Sequence, residues 1–406
     1  MASISEQQRR FRWLQPRKKQ QTRRRVSLSQ REVLWWRVLA VKIQSLGFDS
    51  QVLFPGLQTE DGDIIDCVDF HQQPAFDHPL LKNHIIQMKP SSIPSDLKAN
   101  PSEPDQLFQN WHKSGQCPEA TIPIRRTQGN QRPRDLYHFK QRRARLNHSL
   151  DSASDGDDLS SHEYATAYLG GNFHGAHATI NVWQPTVSND GEMSIGQIWV
   201  VAGPDEKINT MEAGWRVDYD QKSKLFVYWT SDGYQNTGCH NLECPGFVQT
   251  NKKVALGSPI GDVSSYNSKQ TNIGITIYKN NGNWWLKVND QPVGYWPSSL
   301  FTYLKNSATE LTWGGEIYNS KIGGVHTKTQ MGSGHFPSEG YGKASYFRNI
   351  QYVDSNGIFK DVEAGKLTPD ATKPSCYNIN LQSDTSGGSG TNFYFGGPGY
   401  SDKCPK

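Results

Sequence analysis

Residues 273–295 read IGITIYKNNGNWWLKVNDQPVGY, and this stretch indicates the fold class. Over 273–277, isoleucine alternates with glycine and threonine, so the isoleucines lie on one side of an extended strand. Apolar residues also alternate on both sides of Asn289-Asp290, and such a turn dipeptide between two alternating runs predicts a β-hairpin. The stretch therefore predicts antiparallel β-structure.

The same alternation of residues extends over the C-terminal part of the chain, from about His162 onward. A second alternating run covers 178–183, and no apolar stripe of helical period competes with these strands. Short strands separated by glycine, asparagine and proline are typical of an antiparallel β-sandwich. We therefore expect a β-sandwich over residues 162–406, preceded by a small polar module over residues 46–130.

The length of 406 residues agrees with this division, because a single ordinary core rarely grows so large. The chain has 43 Lys and Arg against 39 Asp and Glu, but the charge is uneven. Residues 1–45 hold twelve of the basic residues and two acids, a net charge of +10, which leaves −6 for the remainder. This basic extension suits a disordered arm, a targeting segment, or an arm that binds nucleic acid or anionic lipid.

Two kinds of membrane-related segment are not expected. No apolar run approaches the length of a membrane-spanning helix. No apolar core typical of a signal peptide is visible near the start, because Arg37 and Lys42 interrupt the best candidates. We expect no nucleic-acid binding by the folded body of the protein.

Residues 131–161 have the composition of a linker. The first half is rich in arginine, and the second half contains DSASDGDD at 151–158. Such a segment buries too little apolar surface to order itself, and proteases cut such segments preferentially. We expect maturation cleavage here, and Asn147 in the sequence NHS is a candidate glycosylation site.

The six cysteines fall into three local pairs: Cys67 with Cys117, Cys239 with Cys244, and Cys376 with Cys404. An even number of cysteines, paired segment by segment, predicts disulfide bonds and an oxidising compartment. Zinc binding is the alternative, although no CxxC spacing occurs.

The candidate catalytic groups are carboxylates, because no nucleotide-binding loop, serine-nucleophile elbow or HExxH metal motif is present. Glu212 lies in MEAGW and Glu316 in WGGEIY, each in an aromatic, strand-like stretch with adjacent small residues. A glutamate on an apolar sheet face must be neutral or paired. Two such groups brought together would share a proton, which provides a general acid and a general base.

The alternative is that both glutamates face solvent or pair with cations such as Arg216 and Lys321. The aromatic residues nearby are equally open in interpretation. Trp215, Tyr234 and Trp313 are candidates for a substrate groove, but they also suit a hydrophobic core.

Several longer motifs resemble the plant neprosin family. In the second half these are EAGW at 212–215, LFVYWTSDGY at 225–234, TGCHNLECPGF at 237–247 and WGGEI at 313–317. Upstream, DGDIIDC at 61–67, PAFDHPLLKN at 74–83 and CPEATIPIRRT at 117–127 resemble the activation peptide of that family. The resemblance covers residues 60–404.

The resemblance implies a secreted glutamic endopeptidase made as a zymogen, acting at acid pH and in some members after proline. It places the catalytic pair at Glu212 and Glu316. A neighbouring amide would help to hold the oxyanion in such a mechanism, and we take Gln197 as the candidate. It implies a peptide or protein substrate, no cofactor, and a pro-domain that acts as an intramolecular inhibitor.

Two other functions remain open at this stage. A non-catalytic sandwich that binds carbohydrate or cell wall would also use aromatic grooves. A glycosidase would also use two carboxylates.

Overall fold

The computed structural model describes residues 56–95, 107–126, 162–189, 191–321, 326–382 and 390–404. The strands are β1 (Leu57–Gln58), β2 (Ile64–Asp69), β3 (Thr121–Arg125), β4 (His162–Phe173), β5 (Gly175–Asn181), β6 (Met193–Ala202), β7 (Asn209–Val217), β8 (Lys224–Thr230), β9 (Cys239–His240), β10 (Val248–Gln249), β11 (Asn272–Asn280), β12 (Asn283–Val288), β13 (Gln291–Pro297), β14 (Ala308–Tyr318), β15 (Ser345–Val353), β16 (Phe359–Asp361), β17 (Thr368–Ala371), β18 (Asn378–Gln382) and β19 (Asn392–Gly396). Short 3₁₀ helices cover Phe70–Gln72, Pro74–Asp77, Pro79–Leu81, Asn110–Lys113, Asp205–Lys207, Ser298–Leu300, Pro337–Glu339 and Ala364–Lys366.

The described strands form three antiparallel sheets. A seven-stranded sheet has the order β17-β4-β14-β6-β7-β8-β9. A nine-stranded sheet has the order β10-β13-β12-β11-β5-β15-β19-β18, with β16 attached to β15. The inner faces of these two sheets share one hydrophobic core, so the predicted antiparallel sandwich is confirmed.

The predicted hairpin is confirmed as β12 and β13, in which Val288 faces Gln291 across the turn. Asn289 has φ 51°, a left-handed conformation that asparagine tolerates and that a two-residue hairpin requires. The isoleucines of β11 are all buried in the core between the sheets. Burial of each such side chain contributes about 1.5–3 kcal/mol relative to exposure.

The small N-terminal module contains the third sheet, in the order β1-β2-β3. The turn before β2 passes through Gly62 at φ 89°, a left-handed conformation that glycine adopts readily. The cysteines form the three local pairs expected, Cys67–Cys117, Cys239–Cys244 and Cys376–Cys404.

The module packs on the sandwich through two glutamines that imitate backbone pairing. Gln73 donates to the carbonyl of Gln249 at 3.1 Å and accepts from its amide at 2.8 Å. Gln109 likewise donates to the carbonyl of Ala255 and accepts from its amide, both at 2.8 Å. Further along, His84 lies 2.8 Å from the hydroxyl of Tyr295 on β13. The His78 ring lies 6.2 Å from the Trp229 ring on β8 of the other sheet. Buried apolar residues of the module belong to the same hydrophobic cluster as the sandwich core.

Some predictions fall outside the described residues: the basic extension 1–45, the linker 131–161 with its cleavage site, and glycosylation at Asn147. The domain boundaries also stay predictions. Among the described residues, no helix has the length and apolar character needed to cross a membrane.

Candidate active site

The two glutamates lie on the same face of the seven-stranded sheet. Strand β6 runs between β14 and β7, and Glu316 on β14 faces Ile195 of β6 while Glu212 on β7 faces Trp199. Ile195 and Trp199 are four residues apart, so they point to the same side of their strand. Glu212 and Glu316 therefore point to this side too, away from the core between the two sheets, and both are buried.

A row with few side chains crosses the sheet between the glutamates. Gln197, midway between Ile195 and Trp199, faces Gly214 on one neighbour strand and Gly314 on the other. Gly314 has φ 151°, and a Cβ atom there would come within 2.4 Å of a backbone carbonyl oxygen. The glycines leave room over the sheet at this row, with Gln197 as the side chain that projects from its centre.

The carboxylate of Glu316 is surrounded by hydrogen-bond donors. His162 Nδ1 lies 2.7 Å from Oε1, and the Gln197 amide donates to Oε2 at 3.1 Å. The Tyr164 hydroxyl is 3.5 Å from Oε1. An amide N–H cannot accept a proton, and hydrogen bonds from donors favour the charged form of a carboxylate. This environment suits a glutamate that acts as a base.

The carboxylate of Glu212 has hydroxyl partners instead. Thr210 donates to Oε1 at 2.9 Å, and Tyr234 donates to the same oxygen at 2.8 Å. Tyr234 is held at φ 60°, a left-handed conformation that is uncommon for a bulky residue. Asp232 fixes this turn by accepting hydrogen bonds from the backbone amides of Gln235, Asn236 and Thr237. Backbone strain retained at such a position is typical of functional sites.

The strand register places Glu212 and Glu316 too far apart for the direct proton sharing expected from the sequence. Two strand spacings and four residues along the strands place the Cα atoms of Glu212 and Glu316 about 16 Å apart on an ideal sheet. At this separation the two glutamate side chains do not share one proton directly. The arrangement instead favours a pair that acts from two sides of a bound group above Gln197.

The structure assigns the predicted groove residues to two different places. Gln197 and Tyr234 contact the two glutamates directly, as described above. Trp215 and Trp313 lie on the opposite face of the sheet, in the core between the sheets. The Trp215 indole donates to the carbonyl of Asn181 at 3.0 Å. These two tryptophans therefore pack in the core and do not line a substrate groove on the face of the glutamates.

Three partners of the glutamates were missed in the sequence: His162, Tyr164 and Thr210. Each follows a simple alternation that could have found it. Thr210 is two residues from Glu212 on one strand, so both point to one side. In β4, His162 and Tyr164 alternate with Ala165 and Ala167, which pack in the core. Their pairing with Glu316 depends on β4 lying beside β14, which a sequence pattern does not specify.

Other charged groups near the site form ion pairs. Lys224 is 2.7 Å from both Asp218 and Asp220, and Arg216 is 3.4 Å from Asp218. Burial opposes ionisation of Asp218, but the neighbouring Arg216 and Lys224 cations hold its pKa well below the usual range. These aspartates therefore have a structural role.

One cluster among the described residues has metal-ligand atom types, namely His326 with Cys376 and Cys404. Both cysteines are joined in a disulfide bond, which removes their thiolates as ligands. This cluster does not fit a metal centre.

The fold and site define a β-sandwich with two buried glutamates on an outer sheet face and a small module packed against the sandwich. The description "Neprosin" matches residues 190–398, and "Neprosin activation peptide" matches residues 56–168. The chain belongs to the neprosin family, which confirms the resemblance seen in the sequence. Its domain order is that of a peptidase zymogen, an activation peptide followed by the catalytic domain.

Solved structures with similar folds include scytalido-glutamic peptidase with a transition-state analogue inhibitor. It is 13% identical, with a TM-score of 0.31, and the alignment covers 57% of this chain and 97% of that chain. SCP-B, an eqolisin-family peptidase in complex with the tripeptide Ala-Ile-His, is 12% identical with a TM-score of 0.29, covering 57% and 96%. Galectin-Ib of Xenopus laevis is 13% identical with a TM-score of 0.21, covering 37% and 93%.

Proposed function

We propose that the protein is the zymogen of a glutamic endopeptidase, in which Glu212 and Glu316 hydrolyse a peptide bond by activating water. The observation that carries the proposal is the row Gly214–Gln197–Gly314, which lies between two buried glutamates on one sheet face. The glycines leave space for an extended backbone, and each glutamate has its own hydrogen-bond partners.

Glu316 acts as the general base in this proposal. Its oxygens accept hydrogen bonds from Gln197 and contact His162, which favours the carboxylate form needed to take a proton from water. The resulting hydroxide attacks the carbonyl carbon of the scissile bond. The proton stays on Glu316 at this step.

Glu212 acts as the general acid and donates its proton to the leaving amine as the C–N bond breaks. Its described partners, the Tyr234 and Thr210 hydroxyls, can each accept as well as donate a hydrogen bond, so they suit a protonated carboxyl group better than an amide N–H does. The Gln197 Oε1 atom is buried, and no described residue within hydrogen-bond range pairs with it. This oxygen can only accept, so we propose that it takes a hydrogen bond from a substrate N–H. The Gln197 NH₂ group carries two N–H bonds, and we propose that the one not directed at Glu316 donates to the substrate carbonyl as negative charge develops.

The family membership also suggests how the enzyme is kept inactive and under which conditions it works. The activation peptide supplies an intramolecular pro-domain, and we propose that it inhibits the enzyme until the linker is cut. Its described residues contact the segment 249–261 and also the β8–β9 side of the seven-stranded sheet, where Asp61 pairs with Lys222 and the His78 ring lies 6.2 Å from the Trp229 ring. Secretion, acid pH and cleavage after proline belong to the proposal as well.

The test replaces each glutamate by its isosteric amide. Glu212→Gln and Glu316→Gln are activated at low pH beside the wild type and assayed on denatured protein and on peptides with and without proline. Removal of a general acid or base lowers kcat by about 10²–10⁴-fold. The matched control is Glu363→Gln, which alters an exposed glutamate paired with Lys366.

A glutamate whose amide variant keeps full activity has no catalytic role. A wild type that is inert towards peptides but binds or hydrolyses glucans at low pH would favour the carbohydrate functions instead.

A further inference from the structure

Strand β4 contributes to the active site although it lies at the edge of the activation-peptide region. The match to the activation peptide ends at residue 168, and the match to the catalytic domain begins at residue 190. Yet β4 pairs with β14 in ten register positions and forms an integral strand of the seven-stranded sheet. Its first residue is His162, which is fully buried and 2.7 Å from Glu316.

We propose that His162 is a positioning residue for Glu316, and that the mature enzyme must retain the chain from residue 162 onward. This inference rests on the proposed peptidase function, because it assigns the orientation of one of its two glutamates.

The geometry limits how Glu316 can turn. Its two oxygens are held from opposite neighbours, Oε1 by His162 on β4 and Oε2 by Gln197 on β6. A carboxylate fixed at both oxygens has one orientation of its lone pairs, whereas a carboxylate fixed at one oxygen can rotate. The Tyr318 ring packs edge-on against the imidazole at 5.0 Å, which restricts His162 in turn.

A second glutamate–histidine pair on the same strand provides an internal comparison. Glu163, the next residue of β4, is buried and lies 3.3 Å from His326. Since neighbouring residues of a strand point to opposite faces, this pair lies on the other side of the sheet from Glu316. Its removal should disturb packing of β4 without touching the catalytic carboxylate.

The position of His162 also sets a limit on processing. Cleavage within 162–168 would remove the contact to Glu316 and the first ladder positions of β4 with β14. The cut that produces the active enzyme must therefore fall before residue 162.

The first experiment compares His162→Leu, His162→Asn and the control His326→Leu. Each variant is activated in trans by a trace of tagged wild type, which is then removed, so that failure of self-processing does not obscure activity. The asparagine amide can replace the Nδ1 donor, whereas leucine cannot. We expect His162→Leu to lose about 100-fold in kcat with little change in KM, as misplaced catalytic groups do. We expect His162→Asn to recover most of this loss.

Two outcomes would overturn the positioning role. One is equal kcat for His162→Leu and His326→Leu at equal thermal stability. The other is an asparagine variant as impaired as the leucine variant while it is as stable as the wild type. If wild-type protein itself cleaves no peptide, the proposed function fails rather than this inference.

The second experiment determines the N-terminus of the active wild-type chain by mass spectrometry. We expect the first residue to be His162 or a residue before it. An active chain that begins after residue 162 would contradict the inference, whatever its specificity.

Discussion

Replacement of Tyr234 by phenylalanine provides a sharp test of the Glu212 environment. The change removes one hydroxyl, which donates to Glu212 at 2.8 Å and lies 3.1 Å from Thr210. The ring remains, so the left-handed turn at φ 60° keeps its side-chain packing. Glu212 retains its bond from Thr210 at 2.9 Å. The variant therefore loses one of two described hydrogen bonds to the carboxyl group, together with the contact to Thr210.

The magnitude follows from this count. One buried hydrogen bond contributes about 0.5–1.5 kcal/mol to stability, so the free energy of unfolding should fall by about 1 kcal/mol. If the bond also orients Glu212 in the transition state, a loss of about 1.4 kcal/mol lowers kcat about tenfold. The assay is steady-state peptide hydrolysis at acid pH, together with urea unfolding of the same preparation.

Tyr278→Phe is the matched control. Tyr278 is also fully buried, but in the core of the sandwich, and its hydroxyl has no hydrogen-bond partner among the described residues. Burial raises its pKa to about 12. Removal of that hydroxyl should leave kcat unchanged and should not destabilise the protein. Equal kcat values for Tyr234→Phe and Tyr278→Phe would refute the assigned role of Tyr234.

Three further predictions concern the glycine row between the glutamates, stability at acid pH, and retention of the N-terminal module. Gly214→Ala should abolish activity and destabilise the fold, because the added Cβ atom would come within 2.0 Å of a backbone oxygen. The control is Gly170→Ala in the same sheet, where an added Cβ atom meets nothing within 4 Å. Thermal melts followed by circular dichroism and peptide assays compare the two variants. For Glu192, burial raises the pKa, but hydrogen bonds led by one from Thr327 lower it further, so its folded pKa lies below 4.5. Its carboxylate therefore stabilises the fold at neutral pH, and this contribution is lost as the pH falls through the folded pKa. Glu192→Gln should reduce the difference in the free energy of unfolding between about pH 6 and about pH 3, measured by urea unfolding. A difference as large as in the wild type would contradict this. Gln109→Ala should weaken retention of the cleaved module, which size-exclusion chromatography after linker cleavage would detect, and co-elution as tight as in wild type would count against the glutamine contacts.

The hairpin and the alternating runs were predictable because they depend on near neighbours. Two residues of turn chemistry at Asn289-Asp290 and a period of two along β11 are sufficient to specify local antiparallel structure. The disulfide pairs were predictable for a similar reason, since the partners of each pair belong to one module.

The site was only partly predictable. Glu212 and Glu316 stood out as acids in apolar stretches, and alternation also marks Thr210 as a neighbour of Glu212. The assignment of Trp215 and Trp313 failed because alternation tells which residues share a face but not which face meets the other sheet. Both faces of the seven-stranded sheet are buried and aromatic, so composition did not distinguish them.

The sequence alone determined the sandwich class, the family and the two candidate glutamates, because these depend on local periodicity and on long motifs. The tertiary structure decided that β6 lies between the two glutamates, that Gln197 stands at the centre of a glycine row, and that His162 reaches Glu316 from 154 residues away. Such pairings arise from strand order in the sheet. Strand order is set by the packing of the whole core, and no single stretch of the chain encodes it.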